Sequence, residues 1–256
     1  MASSTGEELW RGPARAWREW ERIGASGELV DQLKHGVRAR WAAGPPPPFD
    51  MGTSLGDMDE LQQRWWDMEC PRLQQIGAIK EIAKESAKWV SRVHLVPKKV
   101  HGVYRKVMDL VHTNEYMLPG TAEVETLRRL PAVLRPRDHM VSLDLSDGYY
   151  HFRLHEQDQK YFQFRVKDKC YQVVGLNMGW NHSPQIFTDF MRVPVQHVRQ
   201  RHKRRLLWYL DDFLLMDSRS GRVAAARDDI VALFRRLGLT INESKCVWEP
   251  TQRILH

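Results

Sequence analysis

Cysteine is scarce in this chain, and the three present, Cys70, Cys170 and Cys246, stand alone and far apart. Without a CxxC pair there is no basis for a zinc knuckle or a disulfide-stapled fold, and a reducing compartment is expected. Long apolar runs are also missing. No uncharged stretch approaches the roughly 20 residues that a membrane-spanning helix needs. The start at Met1 is polar, then rich in Trp and Arg, unlike a secretory leader. The expectation is a soluble intracellular protein, cytoplasmic or nuclear, with no membrane partner. Acidic residues are the minority charge, 32 Asp and Glu against 39 Lys and Arg. That balance suits a polyanionic partner, although many proteins without one are equally basic. No internal repeat is visible. At 256 residues the chain can bury a real core and fits one large domain or two small ones.

What the chain does have is an apolar run, Leu206 to Met216, broken by two adjacent carboxylates, Asp211 and Asp212. A run of this length and composition predicts a β-hairpin with the acidic pair near its turn. Two neighbouring carboxylates between hydrophobic strands are expensive to bury unless a cation compensates them. Aspartate is also a common turn former, so the pair alone favours a plain turn. A third aspartate, Asp144, stands in a matching setting between Val141 and Tyr150 and shifts the weight towards a metal site.

The rest of the chain supplies a frame. Gly6 to Trp41 predicts two amphipathic helices, with Leu9, Trp10, Trp17, Trp20 and Ile23 on one face and Leu29, Val30 and Leu33 on the second. Packing of these tryptophans on the body of the protein is preferred over a basic arm that stacks on bases. Gly44 to Pro48 reads as a polyproline linker. A helix is expected from Asp57 to about Trp66, followed by a stretch of undecided type ending near Trp89. Val93–Lys99 and Val103–Met108 predict a hairpin around Gly102 that carries Lys98, Lys99, Arg105 and Lys106. Such a basic arch is either a solvated surface or a clamp for a triphosphate. Thr121 to Leu130 reads as a helix closed by Pro131, and His155 to Lys160 as a polar turn. Tyr161–Val166 and Tyr171–Val174 predict a second hairpin. Ser183 and Pro184 are strong signals for a helix start, with Pro194 expected to kink or end that helix. The basic run Arg199–Arg205 leads into the acidic hairpin. Arg222 to Leu237 predicts a helix closed by Gly238, and Leu239 to Asn242 a further strand. Strands alternating with helices describe an α+β fold of split βαβ type, able to bring Asp144 beside Asp211 and Asp212 for two-metal phosphoryl transfer.

Five segments in this order resemble the motifs of reverse transcriptases: VPKKVHGVYRKVMDLVHTN the fingers hairpin, SLDLSDGYY motif A, GLNMGWNHSPQIF motif B, WYLDD motif C and LGLTINESKC motif D. Together they cover roughly Val93 to His256. Their wording, with the Trp, Ile-Gly and Pro-Pro-Pro segment ahead of them, looks most like gypsy-like or DIRS-like (tyrosine-recombinase) retrotransposons. The resemblance implies the α+β fingers and palm of a right-hand polymerase, with a ferredoxin-like palm and an N-terminal helical segment, the chain stopping before the thumb. It implies an N-terminal helical segment over 1–50, fingers over 51–118 and 154–178, and palm over 119–153 and 179–256.

The resemblance also implies roles. Asp144 and Asp211 would be ligands of two Mg²⁺ ions, with Mn²⁺ a possible substitute, and Asp212 a supporting carboxylate. The backbone at Asp147 and Gly148 would lie along the triphosphate, Tyr149 under the sugar as steric gate, and Lys98 or Lys99 with Arg105 above it. Met178 and Gly179 would border the nucleotide, Tyr209 and Leu210 the primer end, and Lys245 would be the proton donor to pyrophosphate. Against these stand a core aromatic for Tyr149, a surface lysine for Lys245, and satisfied polar residues for His151 and His182. Asn177 and Met178 depart from the usual Pro-Gln or Pro-Phe of motif B, and Val111 replaces the usual Arg of the fingers signature. The implied function is RNA-directed DNA synthesis from dNTPs on an RNA or DNA template with its primer, beside polyprotein partners such as thumb, RNase H and integrase or recombinase. The rival is a catalytically incomplete remnant that only binds nucleic acid. An RNA-templated RNA polymerase is disfavoured by Tyr149.

Overall fold

The computed structural model describes residues 8–125, 127–202 and 205–253. Gly6, Thr126, Lys203, Arg204 and the segment 254–256 therefore lie outside the described residues, and with them parts of the expected first helix, the Thr121 helix and the basic run. The chain is mixed α and β and divides into two compact units. One comprises Asp31–Gly120 and Tyr149–Ser183 with the described residues up to Arg11. The other comprises Gly12–Val30, Thr121–Gly148 and the chain from Pro184 onward.

The first unit is built on a mixed sheet. Phe49–Asp50 runs parallel to Trp89–Pro97, which runs parallel to Gln163–Val166; Lys169–Val173 and Ile79–Ile82 follow antiparallel. Tyr104–Asp109 pairs with Trp89–Pro97 in the expected hairpin, Val96 opposite Arg105, and Gly102 supplies a positive φ of 74° near its tip. The helix expected to end near Trp66 runs from Glu60 to Gln75. It opens on a capping box: Gln62 N donates to Asp59 (2.8 Å) and Asp59 N donates to the Gln62 side chain (3.0 Å). It continues because Trp66, Cys70 and Leu73 recur at helical spacing and are buried, with Trp66 edge-on to Phe164 and Tyr171. The undecided stretch after it supplies the strand Ile79–Ile82, and the polar turn after His155 is a short helix, Glu156–Gln159. Within the Gly44–Pro48 segment Pro46 is buried, and its carbonyl accepts from Trp89 Nε1 at 2.9 Å.

The second unit holds a four-stranded antiparallel sheet in the order Val247–Thr251, His139–Asp144, Asp212–Asp217, Arg205–Tyr209. The His139 strand is buried from Met140 to Asp144 without alternation, as befits an inner strand. Helix Ser220–Arg236 covers it, with Phe234 edge-on to Phe213 at 5.0 Å. Helix Ser183–His202 buries Phe187, Phe190, Met191, Val195 and Val198 and runs through Pro194 rather than ending there. Trp20, on the short helix Trp17–Arg22, is fully buried, edge-on to Phe190, with its Nε1 donating to the Leu237 carbonyl at 3.0 Å. These contacts agree with the packing reading of that tryptophan.

Three expectations in this unit are corrected. The helix expected from Thr121 to Leu130 does not form: residues 121–125 are irregular, and Leu127–Arg129 is a single 3₁₀ turn. Pro131 does not close a helix; it lies in the first turn of the short helix Leu130–Val133, where its missing N–H costs nothing. Leu239–Asn242 is not a strand. Only Ile241 bridges to Leu145, because the neighbouring backbone groups are used irregularly: Asn242 N donates to the Asp144 carbonyl and Ser146 N to the Thr240 carbonyl. The edge strand comes later, at Val247–Thr251.

Candidate active site

Asp144 ends its buried strand and stands opposite Asp212 in register. The acidic hairpin turns at Leu210 and Asp211, and the turn needs a left-handed residue: Leu210 has φ 52°, unusual for a side chain of its size. Trp208 Nε1 donates to the Leu210 carbonyl at 2.5 Å, and Leu145 N donates to the Asp211 carbonyl at 3.0 Å, tying that turn to the chain just beyond Asp144. Asp147 is also left-handed, φ 53°. Gly148 then passes so close that a Cβ there would lie 3.3 Å from Asp211 Cβ and 3.1 Å from the Phe187 ring. A glycine is thus the residue that lets the Asp144 loop and the acidic turn approach each other.

The carboxyl of Asp144 is almost fully buried. Its Oδ2 lies 3.3 Å from Lys245 Nζ, while its buried Oδ1 has no hydrogen-bond partner. Burial raises the Asp144 pKa above the ordinary carboxylate value; Lys245 opposes that rise and the Asp212 carboxyl adds to it. The loop of residues 242–246 grips the same residue by its backbone: Asp144 N donates to Cys246 Sγ (3.4 Å), and Asn242 N donates to the Asp144 carbonyl (2.8 Å). Sequence reasoning singled out Lys245 but not Asn242 or Cys246, whose only signal was their place beside it.

These residues fit a divalent cation. An orphaned buried carboxylate oxygen, with a second carboxylate opposite and a third on the adjoining turn, is the hard oxygen donor set that Mg²⁺ takes. Among the described residues no three His, Cys, Asp or Glu side chains already stand as a closed metal cluster.

Apart from Tyr209 and Leu210, the other candidates belong to the first unit. Lys98, Lys99 and Arg105 are exposed on the Gly102 hairpin. Lys106, expected on the same charged surface, is instead buried and unpaired, its Nζ 5.1 Å from the Phe164 ring centroid, and burial pushes its pKa down to about 8. Successive residues of a strand face opposite ways, so Arg105 and Lys106 could not both be exposed once one face was covered. Gly179 has φ 109°, and a Cβ there would overlap the Met108 carbonyl oxygen. Its carbonyl accepts from Asn114 Nδ2 (2.9 Å), and the preceding Met178, exposed, accepts from Met108 N (3.0 Å). The glycine is therefore demanded by protein backbone. Asn177 is fully buried, with both side-chain polar atoms unpartnered. His182 donates from Nε2 to the Leu118 carbonyl (2.7 Å), and burial lowers its pKa, so the ring is neutral. Tyr149 is half-buried in the turn Gly148–His151, and His151 is buried.

The ends of the basic run are committed internally. Arg199 forms a bidentate pair with Glu125 (2.7 and 2.8 Å), and Arg205 pairs with the buried Asp138 (2.6 Å). Tyr209 is exposed opposite Asp212.

The chain is 29% identical over 170 residues to the Gag-Pol polyprotein of Avian leukosis virus subgroup A (isolate RSA), a match covering 63% of the chain and 10% of that protein. It is 28% identical over 178 residues to the Gag-Pro-Pol polyprotein of Squirrel monkey retrovirus, covering 66% and 9%. With the Gag-Pol polyprotein of Bovine immunodeficiency virus (strain R29) it is 26% identical over 151 residues, covering 56% and 10%. The chain thus spans about a tenth of the length of these curated relatives. The family model described as reverse transcriptase (RNA-dependent DNA polymerase) matches residues 82–254, which is more than half of the chain and includes Asp144, Asp211, Asp212 and Lys245, and the chain therefore belongs to the reverse transcriptase family.

Proposed function

We propose that this chain performs RNA-directed DNA synthesis from dNTPs as part of a retroelement polyprotein. The observation that carries the proposal is the buried, unpartnered Oδ1 of Asp144, set opposite Asp212 and tied through Leu145 to Asp211. The relatives' names, Gag-Pol and Gag-Pro-Pol polyprotein, support further domains in the same product, such as thumb, RNase H and an integrase or recombinase. The gypsy-like or DIRS-like grouping rests on the wording of the motifs and on the Trp- and Pro-rich segment ahead of them.

On this proposal the unit with the four-stranded sheet is the palm and the other the fingers. The breaks between compact units at Gly120, Gly148 and Ser183 support it, being near the boundaries at 118, 153 and 178. Asp144 and Asp211 would hold two Mg²⁺ ions, or Mn²⁺, with Asp212 in support. Bound there, the ions lower the pKa of the primer 3′-hydroxyl and neutralise charge on the leaving pyrophosphate. The remaining work falls to the chain. Lys98 or Lys99 and Arg105 bind the triphosphate, and the backbone at Asp147 and Gly148 orients it. Tyr149 excludes a 2′-hydroxyl, and Met178 and Gly179 border the nucleotide. Tyr209 and Leu210 bound the primer terminus, and Lys245 holds a proton for pyrophosphate.

The test is primer extension with dNTPs on an RNA template in Mg²⁺, beside thermal melting with and without metal. Extension and a metal-induced rise in Tm are expected for wild type, and both should be lost in Asp144→Ala and Asp211→Ala. Retention of the full shift in both variants would refute the site. Binding of primer–template without extension, even with a thumb supplied, would support the remnant reading.

A further inference from the structure

The ion pair between Lys245 and Asp144 has a consequence beyond catalysis. The Lys245 side chain is 60% exposed and that of Asp144 only 10%, so a mobile cation is held against a fixed, buried anion. Two different carboxylate oxygens are involved: Oδ2 takes the ammonium, and Oδ1 remains unpartnered. The lysine backbone is fixed independently. Lys245 N donates to the Asn242 carbonyl (3.1 Å), Asn242 N to the Asp144 carbonyl (2.8 Å), and Cys246 Sγ accepts from Asp144 N. The side chain can therefore leave Asp144 by rotamer change alone, without moving the loop.

We infer that Lys245 is the resident counter-cation of Asp144 in the metal-free protein, and that a divalent cation enters by displacing the Lys245 ammonium from Oδ2. The inference rests on the metal reading of Asp144 above. The physical reason is charge. A buried carboxylate facing a second one across the sheet needs a compensating cation. An ammonium satisfies only part of that demand, since one oxygen remains bare. A divalent ion would meet more of that demand, and it would repel the ammonium as well as replace it. The pair thus lowers the apparent metal affinity by the fraction of molecules in which Lys245 is already off.

Two measurements on the same chain test this. Mn²⁺ titration followed by electron paramagnetic resonance should give a dissociation constant about three- to tenfold lower for Lys245→Met than for wild type, with Lys245→Arg close to wild type. Removing a positive charge could tighten binding by relieved repulsion alone, so the second measurement reads displacement directly. The acylation rate of Lys245 by an amine-selective reagent, mapped by peptide mass spectrometry, should rise severalfold when wild type is saturated with Mn²⁺. In Asp144→Asn the rate should already be high and unresponsive to metal. If wild type binds Mn²⁺ in a way that Asp144→Asn abolishes, yet the Lys245 rate does not change, the displacement is refuted while the metal site stands. If no Mn²⁺ binds to wild type, both fall.

Discussion

Trp20 offers a direct test of what the N-terminal segment is for. Its side chain is fully buried, edge-on to Phe190 with centroids 6.1 Å apart, and its Nε1 holds the Leu237 carbonyl at 3.0 Å. Trp20→Ala removes an apolar surface of about 150–250 Å² and leaves a cavity, for which the cost is about 3–5 kcal/mol. It also strips the indole donor from Leu237, adding about 1–3 kcal/mol if that carbonyl stays dry. Trp20→Phe keeps an aromatic ring against Phe190 and loses chiefly the donor, so about 1–3 kcal/mol is expected. The assay is urea unfolding followed by far-UV circular dichroism, with fluorescence as a second probe because a chain of two compact units need not unfold in one step. In parallel, affinity for single-stranded nucleic acid is measured under conditions where each variant is folded. A loss of several kcal/mol with unchanged affinity is the expected result. A destabilisation below about 1 kcal/mol with a marked fall in affinity would refute the packing argument and restore a base-stacking arm.

Three further expectations follow from the geometry. If Tyr149 is the steric gate, Tyr149→Ala should raise ribonucleotide over deoxyribonucleotide incorporation roughly tenfold to a few hundredfold in single-nucleotide extension, while Tyr149→Phe should not; an alanine variant as selective as wild type would move the gate elsewhere, with Met178 next in line. The Arg205 guanidinium holds the Asp138 carboxyl below its usual range, so the pair stabilises the fold above the unfolded pKa of about 3.9 and that contribution is lost as pH falls through the lower folded value. The stability gap between wild type and Arg205→Met should accordingly be large at pH 6 and shrink in strong acid, and a gap independent of pH would count against it. Neutralising Lys98 and Lys99 should flatten the salt dependence of primer–template binding by about one logarithmic unit for each phosphate the hairpin no longer neutralises, whereas Arg199→Gln should cost stability through Glu125 and leave the slope alone; a slope indifferent to both lysines would remove the hairpin from the interface.

The hairpin at Asp211 and Asp212, the start of the helix at Ser183 and Pro184, and the turn at Gly102 were legible because each is announced locally. An apolar run interrupted by charge, a serine before proline, and a glycine between alternating strands carry their meaning within a few residues, although the Ser183 hydroxyl bonds to the Asn177 backbone instead of capping the helix. The convergence on Asp144 was legible only as a pattern of motifs in order. What lay beyond reach was whatever depends on a partner distant in the chain. Lys106 reads as one more exposed lysine until Phe164 is known to lie against its buried ammonium. Arg199 and Arg205 read as part of an exposed basic run, yet they pair with Glu125 and Asp138, more than sixty residues earlier. Leu239 to Asn242 has the composition of a strand, but its backbone bonds to the turn around Asp144 leave no ladder to join.

Basic composition was therefore a poor guide to where nucleic acid would bind, because charge that is already neutralised at short range contributes little field beyond it. The described ends of the run after Arg199 are held by Glu125 and Asp138, whereas Lys98, Lys99 and Arg105 stand exposed on the Gly102 hairpin. Lys245 is the instructive intermediate. Its ammonium is claimed by Asp144, but at 3.3 Å, from an exposed side chain, against a carboxylate with a second oxygen still unpartnered. A pair of that kind can be broken by a better cation, whereas the forked Arg199–Glu125 pair, with two parallel hydrogen bonds, holds its geometry. The same sequence symbol, a positive side chain beside an acid, thus divides into a structural brace and an exchangeable counter-ion according to geometry that only the folded chain displays.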